Sequence, residues 1–371
     1  MIPISYRLNA VAEKEYIDQA LQCIKPEKVY AYWLIRLLVK MRREGWPIAN
    51  LILTRAQRFK TDYPGTWVLC EWLVMPYEEL MKVKEYLDSI IRADLDPINA
   101  EIVRTRARIV EIKNYHALRS RQRNAYATHK KIGNMIKNAT QYKDIYNKFQ
   151  VFITFYDKWS QNEINGWIIE KTGLKVCPYC NIMYTYNREK AVTAQLDHFF
   201  PKAEYPVLAL CFYNLVPSCP ACNKLKRDDT EEMASPYRDG AFRDLRFTWA
   251  YDGEDKYGEM DSLAVLEDRI EIMIETSRAD EKRNLTCMKI NEAYRQHRDY
   301  ASEAIKKART YTNLSAQKLI CAISSSVGVT PTEVERFYLG NYLNENDLKK
   351  RPLSKMVRDF YLEIDRAKNG P

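Results

Sequence analysis

Residues 177–228 read CPYCNIMYTYNREKAVTAQLDHFFPKAEYPVLALCFYNLVPSCPACNKLKRD. Two Cys-x-x-Cys pairs frame the stretch, Cys177/Cys180 and Cys219/Cys222, with 38 residues between them. Four thiolates in two such knuckles suit a closed tetrahedral zinc site. The usual ribbon spacing leaves about 15–20 residues between pairs, so this longer insert has to be a structure in its own right. A redox dithiol is the competing reading of the first pair. That chemistry wants the pair after a strand and opening a helix, whereas the strand-like NIMYTYN follows it here. Unrelated thiols are the third reading. The other five cysteines, Cys23, Cys70, Cys211, Cys287 and Cys321, sit in apolar surroundings and read as small buried hydrophobes.

Inside the insert, LDHFFPK places Asp197 and His198 at the end of a strand-like run, in a chain with only four histidines. A lone histidine in an apolar run is ordinarily a core residue with one hydrogen-bonded nitrogen. The surroundings shift that reading. Asn214 follows sixteen residues later in Asn-Leu, and Asn223 comes directly after Cys222, with Lys226 three residues on. The order C-x-x-C, Asp-His, Asn-Leu, C-x-x-C-Asn-x-x-Lys resembles the HNH endonucleases, ββα-metal nucleases, in their four-cysteine subgroup. The likeness covers about 177–228. Two features depart from the family pattern. The third letter is Asn223 where histidine is frequent, and KAEYPVLALCFY stands where relatives carry a glycine pair.

The resemblance implies roles for these residues. His198 would be the general base that activates water, a task suited to imidazole with its ordinary pKa of about 6.5. Asp197 and Asn223 would ligate one divalent cation, Mg²⁺ or Mn²⁺ given their hard oxygen donors. That cation would stabilise charge on the phosphate and the departing oxygen. Asn214 would pin the loop between the strands. Lys226 matches the family's basic helix position, and Lys202 is a further phosphate contact. Neighbours in a flat strand point to opposite faces, so Asp197 and His198 can serve one centre only at a strand end or a bulge.

Outside this core the chain reads as helical. It has 371 residues, 46% hydrophobic and 29% charged, with 11 glycines. The pattern over 11–160 and again from 280 onward has apolar residues at three- and four-residue steps. PEKVYAYWLIRLLVKMRREG and PYEELMKVKEYLDSIIRAD each end in a basic turn. A segment beginning at Pro97 reads as one or two further helices. MYTYN, TAQLDHFF, RDLRFTWAY and DRIEIMIET read as strands. Between Arg104 and Lys143 stand eleven Lys or Arg and one acid, Glu111, a net of +10 against +9 for the whole chain. Arg119, Arg123, Lys130 and Lys137 recur at helical steps and are the candidate contacts to a nucleic-acid backbone.

The apolar runs reach roughly ten residues, short of the ~20 needed to span a bilayer. With no signal-peptide pattern at the start, a cytoplasmic location is expected. The expected fold class is α+β and mostly helical, a zinc-pinned ββα-metal core at 166–262 between helical regions 1–165 and 263–371. The expected function is metal-dependent cleavage of phosphodiester bonds, in DNA more than RNA. The C-terminal LKKRPLSKMVRDFYLEI resembles the tails of larger bacterial HNH proteins, nuclease subunits of Septu-type anti-phage systems among them, and that resemblance implies a partner ATPase. The alternatives are a non-catalytic zinc module that binds nucleic acid and an RNA-cleaving toxin with the same core.

Overall fold

The computed structural model describes all residues except 106–110, 121–129, 161–163, 187–193, 228–231, 252–266, 314–316, the odd-numbered positions 319–327, and 370–371. It is a mostly helical α+β protein with two small two-stranded antiparallel sheets. The helix Ala10–Cys23 starts where the Asn9 side chain accepts the Ala12 N–H at 2.9 Å. The helix Glu27–Arg43 buries Tyr30, Leu34, Leu37, Leu38 and Met41 on one stripe and ends in Lys40, Arg42 and Arg43. Ile48–Ala56 and Trp67–Val74 pack against it.

The helix expected to stop before Pro97 instead runs unbroken for 28 residues, Tyr77–Arg104. Proline removes one backbone donor and crowds the preceding turn. Here burial on both sides of it, Ile91 and Leu95 before and Ile98 and Ile102 after, holds the two turns in line. The basic segment is therefore divided. Arg104 ends that helix, and residues 115–120 and Lys130–Asn138 are helical. Gln141–Phe149, Val151–Ser160 and Ile164–Thr172 complete the N-terminal part.

Strand β1 (Gln195–His198) pairs antiparallel with β2 (Leu215–Ser218), and the helix Pro220–Lys226 follows directly. The second strand was hidden in the sequence, because LVPS is short, wholly buried and contains Pro217. In a two-stranded sheet every strand is an edge, so the missing proline donor is tolerated. Among the described residues of MYTYN, expected as a strand, Tyr184 makes an isolated bridge to Val176. The second sheet joins β3 (Arg246–Tyr251) to β4 (Ile270–Glu275). The boundary expected at 262 thus falls between two paired strands. The helices Ala279–Cys287, Ile290–Tyr294, Arg298–Tyr311 and Pro331–Leu339 precede the last helix, Ser354–Asn369, which packs on β3. One connected apolar core runs from Met1 to Ile364. Among the described residues no helix is long and apolar enough to cross a membrane.

Candidate active site and metal centre

The two cysteine pairs meet. The four Sγ atoms of Cys177, Cys180, Cys219 and Cys222 all lie within 4.8 Å of one another and are buried. The Cys180 and Cys219 sulfurs are 4.0 Å apart, close to the ~3.8 Å edge of a tetrahedron built on Zn–S bonds of ~2.3 Å. The backbone supports sulfur as an acceptor, with Ile182 N–H on Cys180 and Cys222 N–H on Cys219. Hydrogen bonds from Cys177, Cys219 and Cys222 hold the Cys180 thiol well below its usual range, while burial pushes Cys177 up. Four thiols, buried together at this spacing, fit a zinc ion. The ion would tie the first knuckle to Cys219, the N-cap of the helix Pro220–Lys226.

The strand register is regular through all four pairs, ending at His198 opposite Leu215, so β1 holds no bulge. Its two faces consequently do different things. Gln195 and Asp197 face the helix: Asn223 Nδ2 donates to Gln195 Oε1 at 2.7 Å, and Lys226 Nζ donates to Asp197 Oδ1 at 3.2 Å. Asn223 and Lys226 are three residues apart, hence on one helical face. The other Asp197 oxygen accepts the Tyr179 hydroxyl at 2.6 Å. Tyr179 belongs to the first zinc knuckle, and burial pushes its pKa well above the ordinary value, so it stays a neutral donor. Lys226 also donates to the His198 carbonyl at 2.9 Å.

His198 lies on the opposite side, its ring edge-on to Tyr156 with centroids 4.3 Å apart. Its Nε2 is 3.0 Å from the Ala209 carbonyl. A carbonyl only accepts, so Nε2 carries the proton and Nδ1 keeps its lone pair. No hydrogen bond to Nδ1 exists among the described residues. Burial first, then the charge of Lys202, pushes the His198 pKa down to about 3.

The loop between β1 and β2 is held from both ends. Asn214, fully buried, accepts the Phe200 N–H at 2.7 Å and donates to the carbonyls of Phe200 and Leu208, each at 3.1 Å. The helical region supplies the rest: Trp72 donates to Val207 O at 2.8 Å, Tyr16 to Leu210 O at 2.9 Å, and Tyr205 donates to Asp88 at 2.6 Å. Glu204 is buried and accepts the backbone N–H groups of Tyr115 and His116.

The structure therefore brings together some of the expected residues and separates others. Asp197 and Asn223 both reach the seam between β1 and the helix, yet each already has protein partners there. They do not fit a Mg²⁺ or Mn²⁺ ion as arranged, because Asp197 holds a buried ammonium and a phenol on its two oxygens. Lys226, expected to meet phosphate, is 1% exposed and points inward. Its charge is needed where the Asp197 carboxylate is out of water. Lys202 is half-buried, paired with Asp157 and lying 4.8 Å over the Tyr156 ring. Arg119 is exposed and stacks on Tyr146, centroid distance 5.0 Å; Lys130 and Lys137 are exposed. Arg123 lies outside the described residues.

Tyr179, Gln195 and Glu204 escaped the sequence reading. Tyr179 looks like filler between two cysteines, and Glu204 like a surface acid. No family model, no curated protein and no solved structure matches this chain.

Proposed function

We propose that the protein is an HNH-type endonuclease that hydrolyses phosphodiester bonds in nucleic acid, DNA being the substrate we favour, with His198 as the general base. One observation carries the reading. His198 ends a hairpin strand with its Nε2–H committed to the Ala209 carbonyl and, among the described residues, no partner on its Nδ1 lone pair, the state a base must have before it takes a proton from water. The antiparallel hairpin followed by a helix, pinned by four cysteines, supports it. Zinc is the structural ion of this reading. A catalytic Mg²⁺ or Mn²⁺, a bacterial defence role and an ATPase partner follow from the resemblance, and each enters as a condition to be tested.

The test is plasmid cleavage by zinc-loaded protein, with added Mg²⁺ or Mn²⁺ or neither, beside His198→Ala. Nicking that disappears in the variant, with zinc content unchanged, is the expected result. A variant that still cuts would remove His198 from the chemistry. Purification from native cells checks the ATPase.

A second reading, a zinc module that binds nucleic acid without cutting it, is favoured by one feature. Asp197 is 2% exposed and both its oxygens are engaged within the fold. Binding without cleavage under every metal condition would select it.

A further inference from the structure

The last helix, Ser354–Asn369, lies along β3, and a cleft of about 540 Å³ opens between them. The acids of its floor are satisfied from within. Asp359 accepts the Phe247 N–H and the Lys355 ammonium, both at 3.0 Å. Glu363 accepts the Thr248 hydroxyl at 2.9 Å. The rim is different. Arg243 in the turn before β3, Arg246 at its first residue and Arg366 in the last turn of the helix are all exposed and line the same cleft. Among the described residues no carboxylate lies within 4 Å of any of the three. Glu275 stands opposite Arg246 across the β3–β4 ladder without closing on it.

Three guanidinium groups around one concavity repel one another unless an anion joins them. Their planar forks match the oxygens of a phosphate, and a concave wall concentrates the field on whatever enters. The floor leads back to the zinc centre: the Phe247 ring packs on Tyr294 at 4.5 Å, and the Tyr294 hydroxyl donates to the Cys180 carbonyl at 2.9 Å. We propose that this cleft is a phosphate-binding site, occupied by the phosphodiester backbone of nucleic acid and separate from the basic segment 104–143. The backbone as source rests on the nuclease reading; the phosphate chemistry does not.

The experiment compares the full chain with the triple variant Arg243→Gln/Arg246→Gln/Arg366→Gln. Binding of a fluorescent DNA duplex is followed by anisotropy across salt concentrations, and binding of ATP by calorimetry. All three side chains are exposed, so the thermal midpoint should not move. The expected result is weaker duplex binding, at least tenfold at low salt. The slope of log K against log salt should be shallower by about one for each arginine that meets a phosphate. Loss of ATP binding with duplex binding unchanged would overturn the backbone as the source and keep the phosphate site. Equal binding of both ligands by variant and parent, or binding of neither by the parent, would overturn the site. Cleavage is scored separately. An active nuclease whose triple variant binds like the parent loses the cleft alone, and arginine-dependent binding without cleavage loses the nuclease alone.

Discussion

Burial decides what His198 and its neighbours can do. The folded ring is neutral down to about pH 3, below the ordinary value near 6.5. The unfolded chain binds that proton first as pH falls, so the neutral ring contributes stability that is complete above about pH 6.5 and is lost as pH drops toward 3. Urea midpoints measured from pH 7 to 4 should therefore fall less steeply in His198→Ala than in the parent; parallel curves would show that the ring titrates normally. Lys226 invites a harsher test. Lys226→Met leaves the Asp197 charge buried with one donor, which costs about 3–5 kcal/mol. Adding Asp197→Asn should recover part of that loss. A neutral single variant would mean that the pair is not buried as described. The meeting of Cys177, Cys180, Cys219 and Cys222 was legible in the sequence because both pairs carry the knuckle spacing. The inward aim of Lys226 was not. A lysine at a helix end reads as a surface residue until the helix is docked and its Asn223 face is seen to meet β1.

At the scale of elements, the loop between β1 and β2 shows what spacing alone cannot tell. Its sequence, KAEYPVLALCFY, lacks the glycines that would let it turn by itself. Side chains from helices more than a hundred residues away hold it instead, through Trp72, Tyr16 and Asp88. Contacts at such separation leave no local signal. Glu204 is the link from this loop to the basic segment. Glu204→Ala would strip the acceptor from two backbone N–H groups, at a cost of about 1–3 kcal/mol for each donor left buried and unpaired. Hydrogen exchange should then speed up at residues 115–120 ahead of the rest of the chain. Unaltered protection there would show that the tie is dispensable. The strands β3 and β4 were readable, since RFTWAY and IEIMIE alternate and are rich in β-branched and aromatic residues. The run through Pro97 was misread because proline is a stop signal locally, and only the buried isoleucines on either side override it.

For the whole molecule, the expected division at 165 and 262 describes the sequence better than the packing. The core is continuous, and the segment 166–262 takes loop anchors from one side and the partner strand β4 from the other. Residues 166–262 expressed alone with zinc should lack a cooperative thermal transition; a sharp one would mean that the segment is a domain. The full chain should bind one zinc ion, read by elemental analysis, and Cys177→Ser/Cys219→Ser should lose it together with most of the resistance to protease.

The Tyr179 hydroxyl has a consequence for how the proposed cleavage is assayed. It joins the cysteine centre to Asp197, and Asp197 in turn holds Lys226, whose ammonium braces the His198 carbonyl. A chelator strong enough to strip the cysteines would loosen that relay from its far end. On the proposed nuclease reading, cutting would then stop even if no ion took part in the reaction. Inhibition by a chelator would therefore not by itself separate scaffolding from reaction. The informative step is the add-back, where zinc alone restoring activity would assign the loss to the relay and a further need for magnesium would assign it to the reaction.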